Sequence, residues 1–212
     1  EIEIAEKSIL WIKFTVNGKQ THASTPELGK NAHKAGAALV VKLDSLYADF
    51  DAKDKLYDNP VSTFEPTRKE ENVPNVNTIP GTDIFYLDCR VLPEYSLDDV
   101  KATIREYMKS IEKEYGVSVS MEFPQQEPAP PPTPADAPAV GALKDAVKQV
   151  TGKEAVTLGI GGGTVAASFR RKGLPAVCWC TLDDTLHGPN EYSKISNVLN
   201  DACVFAHIFM QS

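Results

Sequence analysis

The chain has 212 residues, 42% of them hydrophobic and 24% charged, with 29 acidic residues against 22 basic ones and a net charge of −7. That length supplies one large or two modest domains with hydrophobic cores. The acidic balance, with no basic block and no apolar run near the ~18 residues of a membrane span, argues against nucleic acid and membranes as partners.

The chain opens on Glu1-Ile2-Glu3-Ile4-Ala5-Glu6-Lys7 with neither a methionine nor a leader, which suggests a cut or processed start. Residues 8–16 alternate, with Leu10, Ile12, Phe14 and Val16 on one side, and predict a half-buried strand ended by Asn17-Gly18. A polar loop from Lys19 to Pro26 carries His22. The spacing of Ala35, Ala38, Leu39, Lys42, Leu43 and Leu46 predicts a helix from Asn31 to about Tyr47.

A short strand is expected over 61–67, where Pro66 points to an edge position. A second alternating strand, 84–91, sets Ile84, Tyr86, Asp88 and Arg90 on one face. The Asp88/Arg90 pair reads by itself as an ion pair on an exposed sheet face, worth at most about 1 kcal/mol. Ser96 then caps a helix whose first turn is acidic, with Val100, Ile104, Met108 and Ile111 at helical spacing to about Tyr115. Gly116 stops it, and 117–123 alternate as a fourth strand. Residues 8–123 thus read β-α-β-β-α-β, the ferredoxin-like plan.

Residues 124–138 hold seven prolines and predict an extended connector at a domain boundary. Beyond it a helix over 139–151, a strand over 155–158, a glycine loop at 159–164 opening a helix to about 172, a strand over 175–181 and a last helix from 193–196 to 209 follow. Apolar strands separated by helices point to a parallel α/β sheet, yet two strands cannot make one independently.

The four cysteines, Cys89, Cys178, Cys180 and Cys203, lie in apolar runs. They are expected to be buried free thiols in a reducing, cytoplasmic setting. Cys178 and Cys180 share a strand face near His187, but two cysteines and one histidine are an incomplete zinc set. The Gly159–Thr164 loop lacks the lysine of a phosphate-binding loop and has Thr164 where a dinucleotide loop needs its third glycine. It suits either a carboxylate at a helix N-terminus or a tight packing turn. His187, in the loop Thr185-Leu-His-Gly-Pro-Asn-Glu-Tyr192 after a strand, reads either as a functional side chain or as a surface histidine.

Taken as an ordered set, several short motifs carry more. Gly18-Lys-Gln-Thr-His22-Ala-Ser-Thr-Pro26, Asn31-Ala32, Asn75-Val-Asn77-Thr-Ile-Pro80-Gly81, Asp88-Cys-Arg90, Gly161-Gly-Gly-Thr164 and His187-Gly-Pro-Asn-Glu191-Tyr192 occur in that order. The chain resembles the C-terminal part of an M20 family metallopeptidase/deacylase, similar to succinyl-diaminopimelate desuccinylase and acetylornithine deacetylase.

The resemblance implies an α/β zinc-aminopeptidase-like catalytic domain interrupted by a ferredoxin-like lid that makes a homodimer. Residues 1–7 would end the opening catalytic segment, 8–123 form the lid, and 124–212 close the catalytic domain. It implies zinc as the metal, two ions in the intact enzyme, with cobalt or manganese as substitutes. His187 would be a metal ligand and His22 the lid histidine that reaches the other subunit's active site and donates to the oxyanion. Asn77, Arg90 and the loop Gly162, Gly163 and Thr164 would bind a carboxylate-bearing N-acyl amino acid or peptide. Val165 departs from the acidic residue that many relatives have after Gly-Gly-Gly-Thr. This piece alone is expected to be inactive. The rival reading is a non-catalytic homodimerisation or binding module of the same descent.

Overall fold

The computed structural model describes residues 1–183 and 185–210. In chain order the elements are β1 (Ile2–Glu6), β2 (Ser8–Asn17), β3 (Thr21–His22), α1 (Ala32–Leu43), α2 (Leu46–Asp49), β4 (Thr63–Lys69) and β5 (Thr78–Ile79). Then come β6 (Thr82–Val91), α3 (Leu97–Tyr115), β7 (Ser118–Glu127), α4 (Pro138–Thr151), β8 (Thr157–Ile160), α5 (Ala166–Arg170) and α6 (Ile195–Met210). The chain forms two compact units, one of residues 7–55 and 59–129, the other of 1–6, 56–58 and 130–212.

The first unit, hereafter the sheet unit, has four strands in the order β4-β6-β2-β7, every neighbouring pair antiparallel. Alternation explains its layering. Leu10, Ile12, Phe14 and Val16 of β2 and Phe85, Leu87, Cys89 and Val91 of β6 are buried together with the inward stripes of α1 and α3. Each of the larger apolar side chains so buried contributes about 1.5–3 kcal/mol. The opposite face carries Trp11, Lys13 and Thr15 of β2 and Tyr86, Asp88 and Arg90 of β6, all half-buried or exposed.

Local chemistry sets the element ends. The Asn31 side chain accepts the Lys34 N–H at 3.0 Å and the Ser96 hydroxyl accepts the Asp99 N–H at 3.1 Å, both N-caps. The helix expected to reach Tyr47 stops at Leu43 because the Asp44 and Ser45 amides bond three residues back, to Val41 and Lys42, and tighten the turn before α2. β7 is longer than the alternation suggested and runs through Pro124. It is an edge strand whose register against β2 shifts between Trp11 and Lys13, the kind of place that tolerates a residue without an N–H.

In the second unit β1 pairs in parallel with β8, and Ile2, Ile4, Ala137, Val140, Leu143, Ala146, Val147 and Val204 form a core. The segment 175–181 is not a strand. It meets β1 in a single antiparallel bridge, Glu3 to Cys178. Pro175 brings no donor, and the register of β1 shifts between Glu3 and Ala5, so no second pair falls in line. Of the four cysteines only Cys89 is buried, while Cys180 and Cys203 are exposed. Burial pushes the Cys89 thiol far above its ordinary range, which makes it an inert core residue.

Candidate functional site

The candidate residues fall on both units, and each group is described by itself. In the sheet unit, the loop leaving β2 folds against the segment entering β6. The pairs Thr21–Ile79 and His22–Thr78 form the short β3–β5 ladder, and the Gly18 N–H donates to Gly81 O at 2.8 Å. The ladder places His22 beside Asn77, whose carbonyl accepts the Ala23 N–H at 2.8 Å. Thr25 closes a turn onto the His22 carbonyl at 3.1 Å. His22 is exposed. Its Nδ1 lies 3.1 Å from the Ser24 amide nitrogen and 2.8 Å from the Ser24 hydroxyl.

Arg90 lies elsewhere. It is eight residues along β6 from Thr82, the residue next to this loop cluster, about 27 Å at ~3.4 Å per residue. Its Nε and Nη2 donate to the two Asp88 oxygens at 2.6 and 2.9 Å. A carboxylate therefore already occupies part of its fork.

A third cluster of this unit carries no motif signal. Asp83 is fully buried, and its carboxylate accepts from Lys69 Nζ at 2.8 Å and from Asn72 Nδ2 at 2.9 Å, with His33 Nδ1 at 3.2 Å. Asp83 belongs to the buried face of β6, where the alternation demands an apolar residue. Its partners lie 11, 14 and 50 residues away, beyond the reach of a local pattern.

In the second unit the glycine loop joins β8 to α5. That helix has five residues, so the long helix dipole expected to attract an anion is absent. The packing-turn alternative finds little support either. A side chain at Gly161 would meet nothing within 4 Å, the nearest atom to one at Gly162 would be Ile160 Cδ1 at 3.6 Å, and neither has a positive φ. Gly159 differs, since a Cβ there would sit 2.7 Å from the Tyr57 ring.

Thr164 turns its hydroxyl inward, donating to Glu6 and lying 3.3 Å from the Cys178 Sγ and 3.2 Å from the Ala166 N–H. Glu6 belongs to a buried ionic group. Arg170 Nη1 is 2.7 Å from Glu3 and 3.4 Å from Glu6, and Arg170 Nε donates to Ala176 O at 2.9 Å. Residues 3 and 6 of a regular strand face opposite sides, and the irregularity in β1 brings both to one arginine.

Burial raises the Glu3 carboxyl above its usual range, against the lowering by Arg170. A carboxyl raised on folding stabilises fully below its unfolded pKa, and that contribution is lost as pH rises through the folded value. Stability of this unit therefore falls as pH climbs above the ordinary carboxylate range, and Glu3→Gln flattens the slope. Urea unfolding across pH, followed by Trp179 fluorescence in a Trp11→Phe background, checks this; an unchanged slope refutes it.

His187 sits in a turn at φ 57°, exposed, with its N–H donating to Glu191 Oε2 at 3.1 Å. The Gly188 N–H closes the turn onto Thr185 O at 3.0 Å. Among the described residues no three His, Cys, Asp or Glu side chains gather where they could hold a metal ion. One imidazole supplies one corner of a tetrahedral site, so the described residues do not make up a metal set.

Comparison with known proteins gives these features a context. Residues 4–116 match the peptidase dimerisation domain of the M20 family. An uncharacterised metallohydrolase from Methanococcus maripaludis is 39% identical over 98% of this chain and 53% of its own length, and one from Methanocaldococcus jannaschii is 39% identical with the same coverage. A succinyl-diaminopimelate desuccinylase from Wolbachia pipientis is 25% identical over 93% of this chain and 47% of its own. The chain spans about half the length of these relatives.

Among solved structures, a tripeptidase from Staphylococcus aureus superposes with a TM-score of 0.73 at 17% identity, covering 98% of this chain and 52% of that one. An aminopeptidase PepT from Bacillus cereus does so with a TM-score of 0.70 at 20% identity, over the same shares. These two likenesses show the fold.

Proposed function

The chain belongs to the M20 peptidase family through its dimerisation domain, and from that premise we propose that it is the lid and closing segment of a metal-dependent amidohydrolase. What carries the reading is the 39% identity, along 98% of the chain, to metallohydrolases about twice its length. The substrate class is an N-acyl amino acid or peptide bearing a carboxylate, and the metal is zinc. The sheet unit serves as the lid and homodimerisation element. Its strand order and the succession β2-α1-β4-β6-α3-β7 support describing it as ferredoxin-like.

In this reading His22 donates a hydrogen bond to the oxyanion that develops on the scissile carbonyl. Asn77, held beside it by the β3–β5 ladder, binds a polar group of the substrate. Arg90 takes the substrate carboxylate by exchange with Asp88. The backbone of Gly162, Gly163 and Thr164 contributes N–H groups, since the Thr164 hydroxyl is engaged with Glu6. His187 is one metal ligand, and the others come from the part of the relatives' length that this chain does not span.

Metal content and amide hydrolysis, measured on the 212-residue chain and on a protein of the relatives' full length carrying it, test the proposal. The short chain should bind zinc weakly and hydrolyse no N-succinyl or N-acetyl amino acid. The long one should do both, and His187→Ala should deplete its metal. Tight stoichiometric zinc in the short chain, or a long protein without metal-dependent hydrolysis, overturns it.

A further inference from the structure

We propose that Ser24 is a positioning residue that fixes the tautomer and direction of the His22 ring. The inference rests on the oxyanion role proposed for His22. The observation behind it is a hydrogen bond whose polarity is not negotiable. The Ser24 main-chain N–H lies 3.1 Å from His22 Nδ1, and a backbone amide can only donate. Nδ1 must then present its lone pair, and a neutral ring carries its proton on Nε2. A proton on Nδ1 would meet the Ser24 N–H head-on.

The hydroxyl of the same residue, 2.8 Å from Nδ1, supplies a second contact to that nitrogen. The donors are themselves fixed. On one side of Ser24 the Ala23 N–H is bound to Asn77 O at 2.8 Å, and on the other the Thr25 N–H is bound to His22 O at 3.1 Å. The Thr25 hydroxyl adds a contact to the same carbonyl at 3.3 Å. Ser24 is thus pinned from both neighbours while it grips the ring. The ring direction is set by main-chain geometry rather than by packing, which suits an exposed side chain that has no core to hold it. An outward Nε2–H is the form an oxyanion requires, because the opposite tautomer would aim a lone pair at developing negative charge.

Long-range 1H–15N spectra of the labelled 212-residue chain read the tautomer directly, with His22→Gln assigning the signal among the four histidines. The expected result for the neutral ring is a proton on Nε2. The Ser24 amide should exchange with solvent at least tenfold more slowly than in His22→Ala. A proton on Nδ1, or equal exchange rates, overturns the proposal.

In the full-length enzyme Ser24→Pro, which removes the main-chain N–H, should lower kcat about tenfold at unchanged KM, whereas Ser24→Ala, which keeps that N–H and loses only the hydroxyl contact, should retain most of the activity. An unchanged kcat in Ser24→Pro also overturns the positioning role. The spectra judge Ser24 whatever the enzyme does. A His22→Ala enzyme with full turnover would instead refute the function proposed for His22, so the two failures are told apart.

Discussion

Replacing His22 by alanine in a protein of the relatives' full length should, under the oxyanion role proposed for it, lower kcat by about 10²- to 10³-fold, the usual cost of deleting one such donor. Bound metal should stay at the wild-type level, because the proposal leaves metal binding to His187 and gives His22, on the sheet unit at the β3–β5 ladder, no part in it. KM should move little, since the interaction matures only as charge develops on the carbonyl oxygen. Metal analysis alongside steady-state kinetics separates this from the effect of His187→Ala, where metal is lost first. A His22→Ala protein that loses metal, or one that keeps its kcat, would exchange or abolish the roles assigned to the two histidines. The ladder itself survives the change, because its hydrogen bonds are main-chain ones.

The second large effect concerns Gly36. In an exposed helix, Gly→Ala stabilises by roughly 0.5–1 kcal/mol through backbone entropy. Here the sign reverses. A Cβ at Gly36 would lie 2.3 Å from Asp83 Oδ2, a contact real structures do not contain, and Asp83 is held in place by Lys69 and Asn72. Gly36→Ala should therefore destabilise the sheet unit by about 2–3 kcal/mol, the range for overpacking a filled interior and displacing a charged hydrogen-bonded group. In an Asp83→Ala background the obstruction is gone, and the same Gly36→Ala change should become neutral or stabilising. The double-mutant cycle, followed by Trp11 fluorescence in a Trp179→Phe protein during urea unfolding, should give a coupling of more than 1 kcal/mol. Additive effects would show that helix α1 and Asp83 do not press on one another.

The sheet unit was readable in the sequence because its signals are local. Alternation in residues 8–16, the Ser96 cap and the Gly116 stop each mark an element without reference to distant chain. Its misplaced limits have equally local causes, a tightened turn after Leu43 and an edge position that admits Pro124. The second unit was less readable. Residues 175–181 have the composition of a strand, but a strand needs a partner in register, and β1 offers them one bridge.

The site divides in the same way. His22 and Asn77 carry motif signals, and their adjacency follows from the ladder. Ser24 is two residues from His22, yet nothing in a sequence says which ring nitrogen a neighbouring amide will face. The Glu3, Glu6 and Arg170 group, spanning up to 167 residues with a strand irregularity at its centre, leaves no trace that periodicity could detect. Asp83 shows only as a carboxylate where the pattern asks for an apolar side chain, and that mismatch is the one usable hint.

The way the chain enters and leaves the sheet unit has its own consequence. The Ser8 hydroxyl accepts the Ala129 N–H at 2.8 Å, and Ile9 pairs with Glu127, so more than a hundred residues start and finish at one spot. To the polypeptide on either side, such an excursion costs little more closure entropy than a tight turn. A module attached in this manner can be exchanged, resized or reshaped as a cassette while its host keeps its own fold. What this unit recognises can then change by rewriting residues 8–55 and 59–129, with 56–58 left to the second unit.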